Sequence, residues 1–205
     1  MKLFSYDSKF AEFTSRIFDY VILHFMWFIF SLPLITIGAS TTALYAVSMK
    51  MIDGREGSIV ESFWIELKRN GKKSTYIWLV EVALLGWLIT MTYICAFSKN
   101  SILMSFGIMN AGLLLITIAS LFYIFPLQAR YENTTWNTIK NAYICALKYL
   151  PYTVLMIIIF ITPVLLTGYL PFLFGIMIFF WIFFGSSIII YMESIIIKKI
   201  FKQCE

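Results

Sequence analysis

Glu81 is the residue whose chemistry is most conspicuous, because it sits inside an apolar run, Leu79-Val80-Glu81-Val82-Ala83. An ionised acid at that depth costs about 2–3 kcal/mol even on lenient insertion scales, so it must face other helices, pair with a cation or carry its own proton. Two readings stay open: a proton or substrate site, or a structural acid that pairs with a group such as His24 or reaches the interface by helix tilt. His24 is the only histidine. No Glu or Cys lies at ligand spacing beside it, which argues against zinc and for a hydrogen-bonded structural role. Asn110 and Glu193 are polar residues in otherwise apolar helices, and interhelical hydrogen bonds account for them. Cys95, Cys145 and Cys204 are far apart and form no CxxC pair, so neither a disulfide framework nor a metal site is expected. The chain contains no GxSxG, HExxH, Walker loop or strand-borne GxGxxG. It reads as a non-enzymatic protein without cofactor or metal.

The elements that carry these residues follow from composition. Of 205 residues 60% are hydrophobic and only 13% charged, with a mean hydropathy of +0.84. A soluble domain of this length needs more polar surface, so the surplus must face lipid. Apolar runs reach the roughly 20 residues that a helix needs to cross about 30 Å of hydrocarbon, and they do not alternate as barrel strands do. The expected fold class is all-α: one polytopic transmembrane helical bundle, residues 1–205, with five to six membrane segments. The net charge of +5 is spread in short stretches beside apolar spans, which fits a membrane surface and gives no sign of a nucleic-acid partner. Six tryptophans and twelve tyrosines invite a sugar-stacking reading, but Trp27, Trp78 and Trp181 fall near expected span ends, where aromatic belts place them.

Residues 8–17 set Phe10, Phe13 and Ile17 on one helical face and Lys9, Glu12 and Arg16 on the other, as a short interfacial helix does. The apolar run starts only near Phe18, behind Asp7 and Glu12, and outruns a signal-peptide core. No cleaved leader is therefore expected, although Gly38-Ala39-Ser40 imitates a cleavage site. Residues 18–52 form a first span that is broken or re-entrant at 33–40, where Pro33 removes a backbone donor and Gly38 follows. Residues 58–73 form an amphipathic helix opened by a Ser58/Glu61 capping box and closed by Lys68, Arg69, Lys72 and Lys73 around Asn70-Gly71. Spans are expected at about 75–97, 102–129, 149–167 and 170–196. Gly168, Pro163 and Pro171 mark the last turn, and a polar connector, 130–148, becomes helical after Thr138. The two basic loops share an order of elements, but their sequences match too weakly for an internal repeat.

Lysine and arginine placement gives the orientation. If 18–52 crosses once, cations divide between the two faces. If it doubles back, Lys99 alone lies opposite all the others. The second arrangement obeys the positive-inside rule better and puts both termini in the cytoplasm, although the returning arm is only about 18 Å long at helical rise. It requires a hairpin buried among other helices, since irregular backbone at membrane depth is tolerated only inside protein. In either arrangement the first long loop, the 130–148 connector and the carboxyl end are expected on the cytoplasmic side of a bacterial cell membrane.

The stretch Ser31-Leu32-Pro33-Leu34-Ile35-Thr36-Ile37-Gly38-Ala39-Ser40-Thr41-Thr42-Ala43-Leu44-Tyr45 resembles the signature of the YesL-like family of bacterial membrane proteins. Ser62-Phe63 with Lys68, Asn70 and Lys72 agrees in order, as do Phe125-Pro126-Leu127, Ala129-Arg130-Tyr131-Glu132-Asn133 and Lys140-Asn141-Ala142. The resemblance covers essentially the whole chain. Gly71 stands where an aromatic residue is expected and Glu81 where an apolar one is, so Glu81 is no family mechanism. The family's function is unknown. The resemblance implies a companion of carbohydrate uptake and utilisation systems in Gram-positive bacteria, often beside ATP-driven sugar importers. The leading expectation is an accessory or partner subunit of such an importer, docking through Phe63, Lys68, Arg69, Arg130, Glu132 and Asn133. The alternative is a small transporter with a polar cavity around Pro33, Thr36, Gly38, Ser40, Thr41 and Glu81.

Overall fold

The computed structural model describes residues 9–204 apart from 56, 99, 170, 171 and 173, and side chains from Thr14 to Gln203. Lys2, Ser8, Lys99 and Pro171 lie outside the described residues, as do the side chains of Lys9, Phe10, Glu12, Phe13 and Cys204. Eight helices follow one another: α1 (Lys9–Ser31), α2 (Ile37–Ile52), α3 (Ile59–Ala96), α4 (Ser101–Arg130), α5 (Thr135–Lys148), α6 (Leu150–Tyr169), α7 (Phe174–Phe183) and α8 (Gly185–Cys204). A 3₁₀ turn, Leu34–Thr36, joins α1 to α2, and no strand occurs among the described residues.

The centre of the bundle is α2, buried on nearly every side from Gly38 to Met49. Its small and hydroxylated residues, Gly38, Ala39, Ser40, Thr42, Ala43, Ala46 and Ser48, let neighbouring helices approach closely. The tightest approach is at Gly38, where a Cβ would fall 2.5 Å from Trp78 Cβ and 2.6 Å from the Ser74 carbonyl oxygen of α3. Thr42 Oγ1 donates 2.9 Å to Ser74 Oγ, and Lys50 pairs with Glu66, so α2 and α3 run antiparallel in one register. On α3 the buried residues Ile59, Phe63, Glu66, Asn70, Ser74, Ile77, Glu81 and Leu88 fall mostly three and four apart, a single stripe facing the bundle.

The chain reverses after α1. Pro33 takes an extended conformation, Thr36 Oγ1 donates 2.6 Å to the Phe30 carbonyl, and Trp27 Nε1 donates 3.1 Å to Thr41 Oγ1 across the hairpin. The turn lies beside Trp78, whose Nε1 donates 2.9 Å to the Leu34 carbonyl. Trp78 is only halfway along α3, a rod of 38 residues or about 57 Å. Beyond it, α3 has α4 for a neighbour: Gly107 abuts Cys95, and Asn110 Nδ2 donates 2.7 Å to the Leu88 carbonyl. The other half of α4, Tyr123 to Ala129, is buried on all sides, and Pro126 sits within the helix. Small residues Thr138, Ala142 and Ala146 are the buried face of α5, and Thr138 donates to Gln128 of α4.

Several expected boundaries move. The 8–17 helix is the start of α1, which continues unbroken to Ser31. The amphipathic 58–73 segment and the span at 75–97 are one helix, because a glycine inside a helix lowers stability without stopping it. Ser58 stands at the N-cap, yet its side chain makes no capping bond, so the expected capping box is absent. Pro163 lies inside α6 rather than at a turn. The connector turns helical at Thr135, with Thr134 Oγ1 accepting from the Asn137 amide. The last span breaks at Phe184, where α7 and α8 meet at 75°. Trp181 folds back onto Gly185 there, at 2.7 Å from where a Cβ would be. Among the described residues α3, α4 and α6 are long and apolar enough to cross a membrane, and the α7–α8 pair is a fourth if counted as one. The expected five to six segments are not reached: α1 carries Arg16, Asp19 and His24, and α2 has only 16 residues.

Candidate functional site

At the end of the bundle where α2 finishes and α3 begins, charge is organised around Glu66. Its carboxylate, 1% exposed, lies 2.9 Å from Lys50 Nζ and 2.7 Å from Arg69 Nη2, and accepts 3.2 Å from Asn70. Arg69 also donates 3.3 Å to the Ala129 carbonyl at the end of α4. Nearby, Asp53 pairs with Lys198 of α8, and Arg55 joins it at 2.7 Å. Lys198, then Arg55, hold the Asp53 carboxyl below the usual aspartate range. Arg130 lies over the rings of Tyr131 and Phe201. The first long loop, the end of α4 and the end of α8 thus meet at one basic end.

These contacts redistribute the expected docking residues. Phe63 is fully buried against Phe30 and offers nothing to a partner. Arg69 is engaged within the chain, while Lys68, over Trp64, remains exposed together with Arg130 and Glu132; Asn133 is half-buried. Trp64 and Trp136 are exposed at this end.

Glu81 is buried too, at 1% exposure, and lines neither the groove at Thr36 nor the main cavity. Tyr143 of α5 donates to it at a long 3.5 Å and to Thr117 Oγ1 of α4 at 3.1 Å. His24 is not its partner: Nδ1 of His24 lies 2.8 Å from Ser186 Oγ of α8. Asn110 bridges α4 to α3, as a polar residue in an apolar helix is expected to do.

The residues expected to form a polar cavity are separated. Gly38 is consumed by close packing, and Ser40, fully buried, bonds Ser31 Oγ at 2.6 Å. Thr36 lines a groove of about 520 Å³ with Gly71 and Lys72, and Pro33 is exposed at the turn. Only Thr41 faces the main cavity, of about 1160 Å³, a half-open space lined by α1, α2, α4, α6 and α8 with Trp78 of α3, Ala146 and Leu147 of α5 and the end of α7. Its walls are aromatic and aliphatic, with Trp27, Trp78, Phe122, Phe160 and Trp181 prominent. The cavity acid is Glu193, not Glu81. Glu193 is 2% exposed and accepts a hydrogen bond from Tyr45 at Oε2, while Oε1 has no donor among the described residues. Ser48 and Ser194 hydroxyls are likewise without partners, so all three orphaned polar side-chain atoms lie on α2 and α8. Interhelical hydrogen bonding alone, the role given to Glu193 by sequence, explains one oxygen of two. No sequence spacing links Tyr45 to Glu193, since the pair exists only once α2 and α8 run side by side.

Residues 20–93 match the model of the family described as "Protein of unknown function, DUF624". The chain is 29% identical over 201 residues to the uncharacterised protein YteU of Bacillus subtilis (strain 168), an alignment covering 96% of this chain and 86% of that one. No solved structure matches. The matched 20–93 segment contains α2, the charge clamp at Glu66 and the first long span; Glu193 lies outside it.

Proposed function

We propose that this chain is a non-enzymatic, multi-pass protein of the bacterial cell membrane, one integral domain, that works by binding an apolar ligand in the α1/α2/α4/α6/α8 cavity. The carrying observation is the cavity itself, about 1160 Å³ and walled by aromatic and aliphatic side chains. The apolar lining matches small-molecule sites, and the volume is a little above their usual range of about 300–1,000 Å³. A sugar suits it poorly. Sugar hydroxyls need partners when desolvated, whereas Thr41 is engaged by Trp27, Ser186 by His24 and Thr153 by Tyr123. The ends at Asp53, Arg130 and Lys198 belong in the cytoplasm on the positive-inside rule. Titration of the purified protein in nanodiscs with the neutral probe N-phenyl-1-naphthylamine tests the reading, because Trp27, Trp78 and Trp181 line the cavity. Saturable tryptophan quenching is expected, lost at least tenfold in Ala119→Trp, which fills the volume. Quenching no greater than in empty nanodiscs overturns it.

A second reading is an accessory subunit of a carbohydrate uptake system of the ATP-driven importer type. Exposed Trp64 and Trp136 beside Lys68, Arg130 and Glu132 favour it, since exposed indoles flanked by charge are frequent anchors of interfaces. Recovery of importer components in mild detergent, and their release by Trp136→Ala with Lys68→Glu, is the test. An unchanged yield from the variant rejects that surface.

A further inference from the structure

We infer that the cavity ligand is an organic cation with an apolar, preferably aromatic body, its charge held by Glu193. This deepens the cavity reading and rests on it. Glu193 is the cavity's only acidic lining residue, and among the described residues no lysine or arginine pairs with it. Its Oε2 is taken by Tyr45, and its buried Oε1 has nothing. A buried acid either keeps its proton or, ionised, needs a counter-charge or donors, and here the protein supplies a hydroxyl to one oxygen only. A cation entering the cavity takes the place of that proton at Oε1.

The walls point the same way. Trp27, Trp181, Phe122 and Phe160 surround the space, and ring faces attract cations, more strongly where water is excluded. The indole N–H groups are already engaged, Trp27 by Thr41 and Trp181 by Thr167, and so are not free to donate to a ligand. An anion would meet the Glu193 carboxylate with no lysine or arginine in the lining, where His24, already bonded to Ser186, is the one basic residue. At helical rise Glu193 lies about 7.5 Å before Lys198 along α8.

Tetraphenylphosphonium and tetraphenylborate share a shape and differ in the sign of charge. The test is equilibrium binding of each to the whole protein in nanodiscs of neutral lipid, with empty nanodiscs subtracted. The cation is expected to bind saturably, and Glu193→Gln to weaken it at least tenfold, a far larger loss than that of the neutral naphthylamine. Tyr45→Phe keeps the carboxylate and should retain the preference for the cation, which guards against a fold defect in the Gln variant. Equal affinity for both ions, or cation binding indifferent to Glu193→Gln, overturns the cation assignment while the cavity reading survives through the neutral probe. Loss of all three probes overturns both.

Discussion

Lys50, near the end of α2, holds its ammonium 2.9 Å from a Glu66 carboxylate oxygen that is all but sealed from solvent. Arg69 and Asn70 complete the shell, so this buried acid is fully compensated. Glu66→Gln is expected to lower stability by about 1–3 kcal/mol, the cost of losing charge-assisted bonds around a buried group. Thermal unfolding in detergent reads it.

Glu81 should behave differently. Its one hydrogen bond among the described residues, from Tyr143, is long, and buried charges with poor partners are often replaced by apolar residues at no loss. Glu81→Leu is expected to leave the melting temperature unchanged or raised. A drop as large as that of Glu66→Gln would show that Glu81 is held by more than Tyr143.

Gly38 and Gly86 give a matched pair. Alanine at 38 would push against Trp78 and the Ser74 carbonyl, whereas nothing stands within 4 Å at 86. Overpacking costs about 1–3 kcal/mol, and a helical glycine replaced by alanine gains up to about 1 kcal/mol. Gly38→Ala should therefore melt lower than the parent and Gly86→Ala at or above it.

Acid should loosen the α2–α8 ends. The Asp53 carboxyl is held below its ordinary value by Lys198 and Arg55. The stability this contributes is present above the unfolded value of about 3.9 and is lost as pH falls through the lower folded value. The wild type should lose more melting temperature than Asp53→Asn between pH 5 and strongly acidic conditions. Parallel curves would remove the pair from the account.

Orientation has a direct measurement. With Cys95, Cys145 and Cys204 replaced by serine, single cysteines at Ser58 and Asn133 should react with an impermeant thiol reagent only from the cytoplasmic side, and one at Asn100 only from the other. Labelling of 58 and 133 from opposite sides would reject the proposed topology.

The helices were largely legible because an apolar run with a cap or proline at its border leaves few alternatives: Asn100 caps α4 through a 2.9 Å bond from the Ile102 amide. The break at Pro33 was legible for the same reason. Gly71 misled, since the amphipathic segment before it and the apolar one after it differ in composition but not in conformation. The site was barely legible. Glu81 drew attention by sitting mid-run, a one-dimensional property, whereas the Glu193 contact depends on two helices separated by 148 positions. Phe63 was assigned to the surface from a face that α3 turns inward.

The partnership of Tyr45 with Glu193 also sets an order of assembly. During synthesis α2 finds Ser74 soon after it emerges, but the acceptor for Tyr45 arrives only with the final helix. Until then the small-residue helix at the centre of the bundle keeps one flank unclosed, a state that contacts of such long sequence separation make slow to resolve. Nascent chains ending before Gly185 should consequently be the species most prone to degradation, and the arrival of α8 the event that closes that flank.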